Sequence, residues 1–363
     1  MDGNNAEELK NQLTQAKCEK VASAVGPKDY RERNSDPITF EKIGTQDIPY
    51  LQTNDYLHTM DLNASGTRLV FSGTLLKLVT VNTEDGKIVD EHSEETMLFD
   101  VKFDQSDNIW YVCNDMDFKR YNYHTKKITF DHQDEKGNAD TIKEINNMIQ
   151  IDETRGHVYC RVSNTKIVEF TCASNSMVDE FDNLTEEKDS SGQDMFIYFF
   201  KVAKRRIFYT ESRRQHVKLY DMDSKTLIST VDFKIWPQLI AISPDANHVI
   251  VCEDKKFLLA NIKENEDGKT NIVEEANSDN IHEEWPLQIK FASFGNKGYK
   301  ILSTSPDKAV AITNMELKRE FYFDEKGGNK LHDHWVNDVL WDEKFGMMIT
   351  YGHDHKMSRV MFH

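Results

Sequence analysis

Three stretches of the chain begin with tryptophan and share one layout: "WPQLIAISPDANHVIVCED" (236–254), "WPLQIKFASFGNKGYKILSTSPD" (285–307) and "WVNDVLWDEKFGMMITYGHD" (335–354). The tryptophans stand 49 and 50 residues apart, and a fixed period of that size marks a repeat architecture. Each copy reads as a short apolar strand, a polar turn, a second apolar strand, another turn and then a third strand: "KKFLLANI", "KAVAITNM" and "KMSRVMF" respectively. The assignment rests on short apolar runs bounded by Asp, Asn, Gly or Pro.

The same register continues upstream. "FKRYNYHTKK", "TKIVEFTCAS" and "VKLYDMDSKT" occupy the third-strand position, and strands such as "LISTVDF" follow them after a turn. Four short strands per repeat make a propeller blade. The blades are counted from "YLHTMDLNASGTRLVF", "EETMLFDVKFDQSDNIWYV", "INNMIQIDETRGHVYC", "DMFIYFFKVAKRRIFYT" and the three tryptophan segments, which gives seven. The last repeat reaches His363 with three strands. The segment "ITFEKIG" (38–44) reads as a further strand ahead of the first blade, and residues 36–363 amount to about 47 per blade. Ring closure removes edges that would otherwise invite aggregation.

At the level of motifs the chain resembles the WD40-repeat family. "LHDHWVNDV" is similar to that family's GHxxWVxxV opening with Leu331 in place of glycine, "GHDHKMSRV" resembles its turn aspartate before a third strand, and "VKLYDMDSKT" places Tyr220 and Asp221 where the family has Trp-Asp. The turn position recurs as Asp115, Asn164, Arg214, Asp254, Asp307 and Asp354, at a mean spacing of about 48. No blade carries a true Trp-Asp pair, which marks a divergent member. Kelch repeats have a similar period, but their paired glycines are missing. The resemblance implies that the opening histidine and the turn aspartate share a buried hydrogen-bond network, and His332 with Asp354 and His282 with Asp307 match those positions. It also implies closure of the ring by an N-terminal strand, here 38–44 in the last blade, and partner binding on the face made by the loops before the first strands and the turns between second and third strands.

On that face Trp236, Trp285 and Trp335 share one blade position, and Tyr56, Met97, Ile145 and Met195 stand in register with them. Two readings are open: an apolar and aromatic rim at the channel mouth, of the kind that marks interaction surfaces, or side chains packed as core against the next blade.

A second feature is "KVAKRRIFYTESRRQHVK" (201–218), with a local charge of +6 in a chain whose net charge is −17. The blade layout splits it. Lys204, Arg205 and Arg206 fall in the turn after a first strand and Arg213 and Arg214 in the turn after a second, on opposite faces. They read as solvated turns or as a site for an acidic or phosphate-bearing partner.

The histidine-rich stretch 331–357 holds two HxH pairs, His332 with His334 and His353 with His355. Residues two apart on a strand share a face and imidazole binds zinc, so metal is the competing reading, carried by His334 and His355, which the family pattern does not cover. The structural reading is preferred, and neither a metal nor any cofactor is expected. The acidic turns "NTEDGK" (82–87) and "KENEDGK" (263–269) lack DxDxDG spacing and are read as turns between third and fourth strands.

Composition bounds the function classes. A net charge of −17 opposes nonspecific binding to nucleic acid or anionic membrane, so protein partners are expected. The five cysteines, Cys18, Cys113, Cys160, Cys172 and Cys252, are scattered and never form CxxC, which points to a reducing, cytoplasmic or similar intracellular compartment. No signal-peptide run opens the sequence and no run approaches ~18 apolar residues, so no membrane insertion is expected. GxSxG, GxxxxGK[ST], HExxH and GxGxxG are all absent.

The expectation is therefore an all-β, seven-bladed WD40-like β-propeller with a short N-terminal helical or disordered extension over residues 1–35. It is expected to act as a non-catalytic scaffold subunit of an intracellular multiprotein complex, of cytoskeletal, ciliary, nuclear or trafficking type. The alternatives are a propeller hydrolase of lactonase type with a metal at the channel mouth, and a specificity subunit of an RNA-modifying enzyme.

Overall fold

A computed structural model describes residues 38–48, 57–74, 76–113, 117–132, 148–186, 188–212, 214–264 and 270–363. The N-terminal extension, together with Tyr56, Asp115, Ile145 and Arg213, lies outside the described residues. Seven antiparallel sheets of four strands each follow one another around a ring.

Blade I is β2 to β5 (Leu57–Leu62, Arg68–Gly73, Lys77–Asn82, Ile88–Ser93) and blade II is β6 to β9 (Leu98–Phe103, Asn108–Cys113, Phe118–Asn122, Lys127–His132). Blade III is β10 to β13 (Ile149–Asp152, His157–Arg161, Ile167–Thr171, Met177–Phe181) and blade IV is β14 to β17 (Ile197–Ala203, Arg206–Glu211, His216–Asp221, Thr226–Asp232). Blade V is β18 to β21 (Leu239–Ile242, His248–Glu253, Lys256–Glu264, Thr270–Ser278) and blade VI is β22 to β25 (Gln288–Ser293, Tyr299–Thr304, Val310–Thr313, Arg319–Phe323). Blade VII combines β26 to β28 (Val336–Asp342, Met347–Gly352, Lys356–Phe362) with β1 (Phe40–Asp47) as its fourth strand. The structure is a seven-bladed β-propeller, almost wholly strand and turn.

The first strands, β2, β6, β10, β14, β18, β22 and β26, touch in sequence, and β26 returns to β2. Second strands are covered on both sides by neighbouring blades, so they are apolar at nearly every position rather than alternating. β7 and β27 are buried along their whole length. Outer strands face solvent on one side and do alternate, as in β9. The apolar core is therefore divided among the gaps between blades. In the gap between blades II and III, Phe118 stacks on Trp110 at 5.2 Å, and Phe170 packs edge-on against Phe130 at 5.0 Å.

Closure of the ring is built from both chain ends. β1 pairs antiparallel with β28, placing Phe40 opposite Phe362, and the Phe40 ring packs edge-on against Phe321 and Phe323 of blade VI at 5.7 and 4.9 Å. The strand runs three residues further than the 38–44 read from sequence, through Asp47.

Three aspartates staple first strands across blade boundaries. Asp61 accepts the Phe103 amide at 2.8 Å, Asp100 the Ile149 amide at 2.9 Å and Asp338 the Met60 amide at 3.0 Å. Each bond joins a side-chain carboxyl acceptor to a backbone donor of the next blade around the ring.

Candidate interaction face

Strands alternate direction within a blade, so the loop before each first strand and the turn between second and third strands emerge on one face. Trp236, Trp285 and Trp335 lie in three successive loops of this kind, ahead of β18, β22 and β26. Their side chains are 42%, 44% and 39% exposed, whereas Trp110 is fully buried.

Local sequence dictates that exposure. Across 233–239 the chain alternates strictly: Phe233, Ile235, Pro237 and Leu239 turn inward, and Lys234, Trp236 and Gln238 turn out. Proline at 237 and 286 holds the preceding tryptophan in an extended backbone. Around Trp285 and Trp335 the outward residues are Glu283, Glu284, Asp333 and His334.

Trp335 is the best-supported of the three. His353, in the turn after β27, donates its amide to the Trp335 carbonyl at 2.8 Å. Its ring stacks on the Trp335 ring at 5.2 Å and on His334 at 5.5 Å. Burial, followed by repulsion from His334 and His355, pushes the His353 imidazole down to about 4, so the His353 ring is uncharged at neutral pH. His58 of β2, itself lowered by burial, adds to that field. The result is a platform of stacked rings with a neutral His353 at its centre.

Of the other residues expected at the rim, Met97 and Met195 fall among the described ones. Met195 is 2% exposed and takes a contact from the Ser212 hydroxyl on its sulfur at 3.9 Å, which makes it core. Met97 is half-buried. The rim is thus a three-blade aromatic patch rather than a complete circle among the described residues.

The histidine and aspartate pairs lie beneath this face. His332 Nδ1 is 3.0 Å from Asp354 Oδ1 and its Nε2 is 2.8 Å from the Thr350 hydroxyl; Asp354 also accepts the Asp333 amide at 2.7 Å. His282 repeats the pattern with Asp307 at 3.0 Å and Ser303 at 2.8 Å, while Asp307 accepts the Glu283 amide and the Tyr322 hydroxyl. Burial pushes the Asp307 carboxyl up, but the bonds from His282, Glu283 and Tyr322 outweigh it and hold it at about 2. Asp354 is lowered by the same balance. Both histidines have their two ring nitrogens satisfied, and they anchor the loops that carry Trp285 and Trp335. Thr350 and Ser303 complete the networks and were not singled out by sequence reading. Their signal was a hydroxyl residue in an otherwise apolar second strand.

The HxH pairs do not gather as ligands. His334 stacks on His353, and among the described residues no group of three or more His, Cys, Asp or Glu is arranged to hold a metal ion.

Two residues of the basic turns, Arg205 and Arg214, face carboxylates. Arg205 reaches the fully buried Glu169 of blade III, with Nη1 at 3.1 and 3.0 Å from its two oxygens, and its Nε contacts Asp223 at 2.9 Å. It is a clamp between blades. Arg206 begins β15 rather than sitting in the turn. Arg214 lies 3.9 Å from Glu186 on the tryptophan-bearing face, and Lys204 is exposed.

No helix among the described residues is long and apolar enough to cross a membrane. No protein-family model and no curated protein matches this chain.

Proposed function

We propose that the chain is a non-catalytic interaction scaffold, a divergent WD40-type propeller that contributes to a multiprotein assembly and docks a protein partner on the face bearing Trp236, Trp285 and Trp335. One observation carries this reading: three tryptophans on consecutive blades, each about two-fifths exposed, on the same face. Tryptophan left in water forgoes burial of a large apolar surface, and such clusters mark interaction sites. The underlying His–Asp networks fix the loop backbones that carry Trp285 and Trp335, which lowers the ordering cost a partner meets there.

Cys113, Cys160 and Cys252 are buried, which fits work in a reducing intracellular compartment. For the hydrolase reading, His334 and His355 belong to no group of three or more ligand residues among the described residues. For the RNA reading, Arg205 and Arg214 already face carboxylates, on opposite sides of the disc.

A photo-crosslinking residue placed at Trp285 should capture a defined protein in cells that make this chain, while the same residue at Lys225, on the opposite face, should not. Equal capture at both positions, or none at Trp285, sinks the assignment.

A further inference from the structure

Blades II, IV and VI each place a lysine in the middle of a first strand. Lys102 sits in Val-Lys-Phe of β6, Lys201 in Phe-Lys-Val of β14 and Lys290 in Ile-Lys-Phe of β22. First strands line the central channel, so alternate blades send three ammonium groups toward one axis.

Two of the three are partnered. Lys102 Nζ donates to Asp61 at 3.3 Å and Lys290 Nζ to Asp338 at 2.7 Å. Lys201 makes no hydrogen bond or ion pair among the described residues. An ammonium carries three donors, so Lys102 and Lys290 also keep donors to spare.

The nearby carboxylates do not fill the gap, because they are occupied by the blade staples. Asp100 accepts the Val101 and Ile149 amides at 2.9 Å each and the Thr59 hydroxyl at 3.1 Å. Asp338 accepts the Val339 and Met60 amides in addition to Lys290, and Asp61 accepts Phe103 in addition to Lys102. Burial, then repulsion from Lys102 and Lys290, pulls the Lys201 amine down to about 7, with Asp100 and Asp338 only partly offsetting it. Asp61, Asp100 and Asp338 stand among the three lysines, and Lys201 is the ammonium that no carboxyl contacts directly, so its donors are open to an acceptor.

We propose that the central channel is a binding site for a small phosphate-type anion, held on the unpartnered Lys201 ammonium with Lys102 and Lys290 flanking it. Lysine binds phosphate as a point charge, and three ammoniums approaching from different blades suit a multi-oxygen anion better than a planar carboxylate. Partial exclusion of water strengthens each contact. Lys201 lies within its strand rather than in a loop, so a compact ligand entering the channel reaches it.

The test is calorimetric titration of the full chain with inorganic pyrophosphate at low salt and pH 8, in two buffers of different protonation enthalpy. Saturable binding with proton uptake is expected, because the anion draws a proton onto Lys201. Lys201→Met should weaken binding at least tenfold and abolish the uptake, Lys201→Arg should retain binding, and Lys308→Met, at an exposed turn lysine, should change neither; circular dichroism checks that each variant folds. A phosphoserine peptide titrated in parallel separates a free anion from a phosphorylated partner. Absence of saturable pyrophosphate binding by wild type, unchanged binding by Lys201→Met, or tighter binding of the peptide than of pyrophosphate overturns the assignment.

Discussion

Replacing Lys201 with methionine, which keeps the length of the stem and removes the charge, should make the protein more stable, by an amount that depends on pH. The amine is held near 7 in the folded state against an ordinary 10.5. At 1.36 kcal/mol per unit, keeping it charged in the fold would cost on the order of 5 kcal/mol; water in the channel screens part of this, leaving about 2–3 kcal/mol. Below pH 7 the group is charged in both folded and unfolded chains and the penalty is complete. Between pH 7 and 10.5 the unfolded chain binds more protons than the folded one, so wild-type stability climbs with pH. Urea unfolding of both proteins at pH 6 and pH 9.5 reads this directly. The methionine variant should gain about 2–3 kcal/mol at pH 6 and about a third of that at pH 9.5. A variant no more stable than wild type at pH 6, or one whose gain is the same at both pH values, refutes the view of Lys201 as an uncompensated channel charge.

Other consequences are local. A Cβ at Gly352 would sit 2.6 Å from His332 Nδ1 and 2.8 Å from Asp354 Oδ1, so Gly352→Ala should force that pair apart and lower stability by about 1–3 kcal/mol in thermal unfolding; an unchanged melting temperature would show the network to be slack. Asp307→Asn should cost about 2 kcal/mol at pH 7. Because the carboxyl is held at about 2 in the fold, the wild-type advantage is fully present above about pH 4 and is lost as pH falls toward 2; urea midpoints for both proteins across that range check it. Arg205→Met removes one of the cations around buried Glu169 and should destabilise by about 1–3 kcal/mol while leaving partner capture through Trp285 unchanged.

The architecture was legible because its signals are local. Second strands such as "IWYVC", and "MMITY" apart from Thr350, are apolar, the turn positions recur at a mean spacing of about 48, and His332 with Asp354 stands out by motif. Exposure of the tryptophans was harder to read, since the same Trp-Pro loops suit a core or a rim. The deciding signal was the alternation of Phe233, Ile235, Pro237 and Leu239 around Trp236. Met195 shares the register of Trp236 yet is buried, because its neighbour is the Ser212 hydroxyl of the turn that follows β15 and not solvent. Arg205 counted as a free charge in linear sequence, but its carboxylate belongs to Glu169 in the preceding blade, a partner 36 residues away that no local pattern announces. The channel lysines had a readable signature, a lysine between apolar residues in the first strands of alternate blades, which gains meaning only once those strands are known to face one axis.

The central claim is that the tryptophan face docks a protein. Quantitative affinity purification from cells that make the chain, comparing wild type with a variant carrying Trp236→Ala, Trp285→Ala and Trp335→Ala that circular dichroism shows to be folded, tests it most directly. The account predicts a reproducible set of partners with wild type that is depleted at least tenfold with the variant. Full retention of those partners by the folded variant would contradict it.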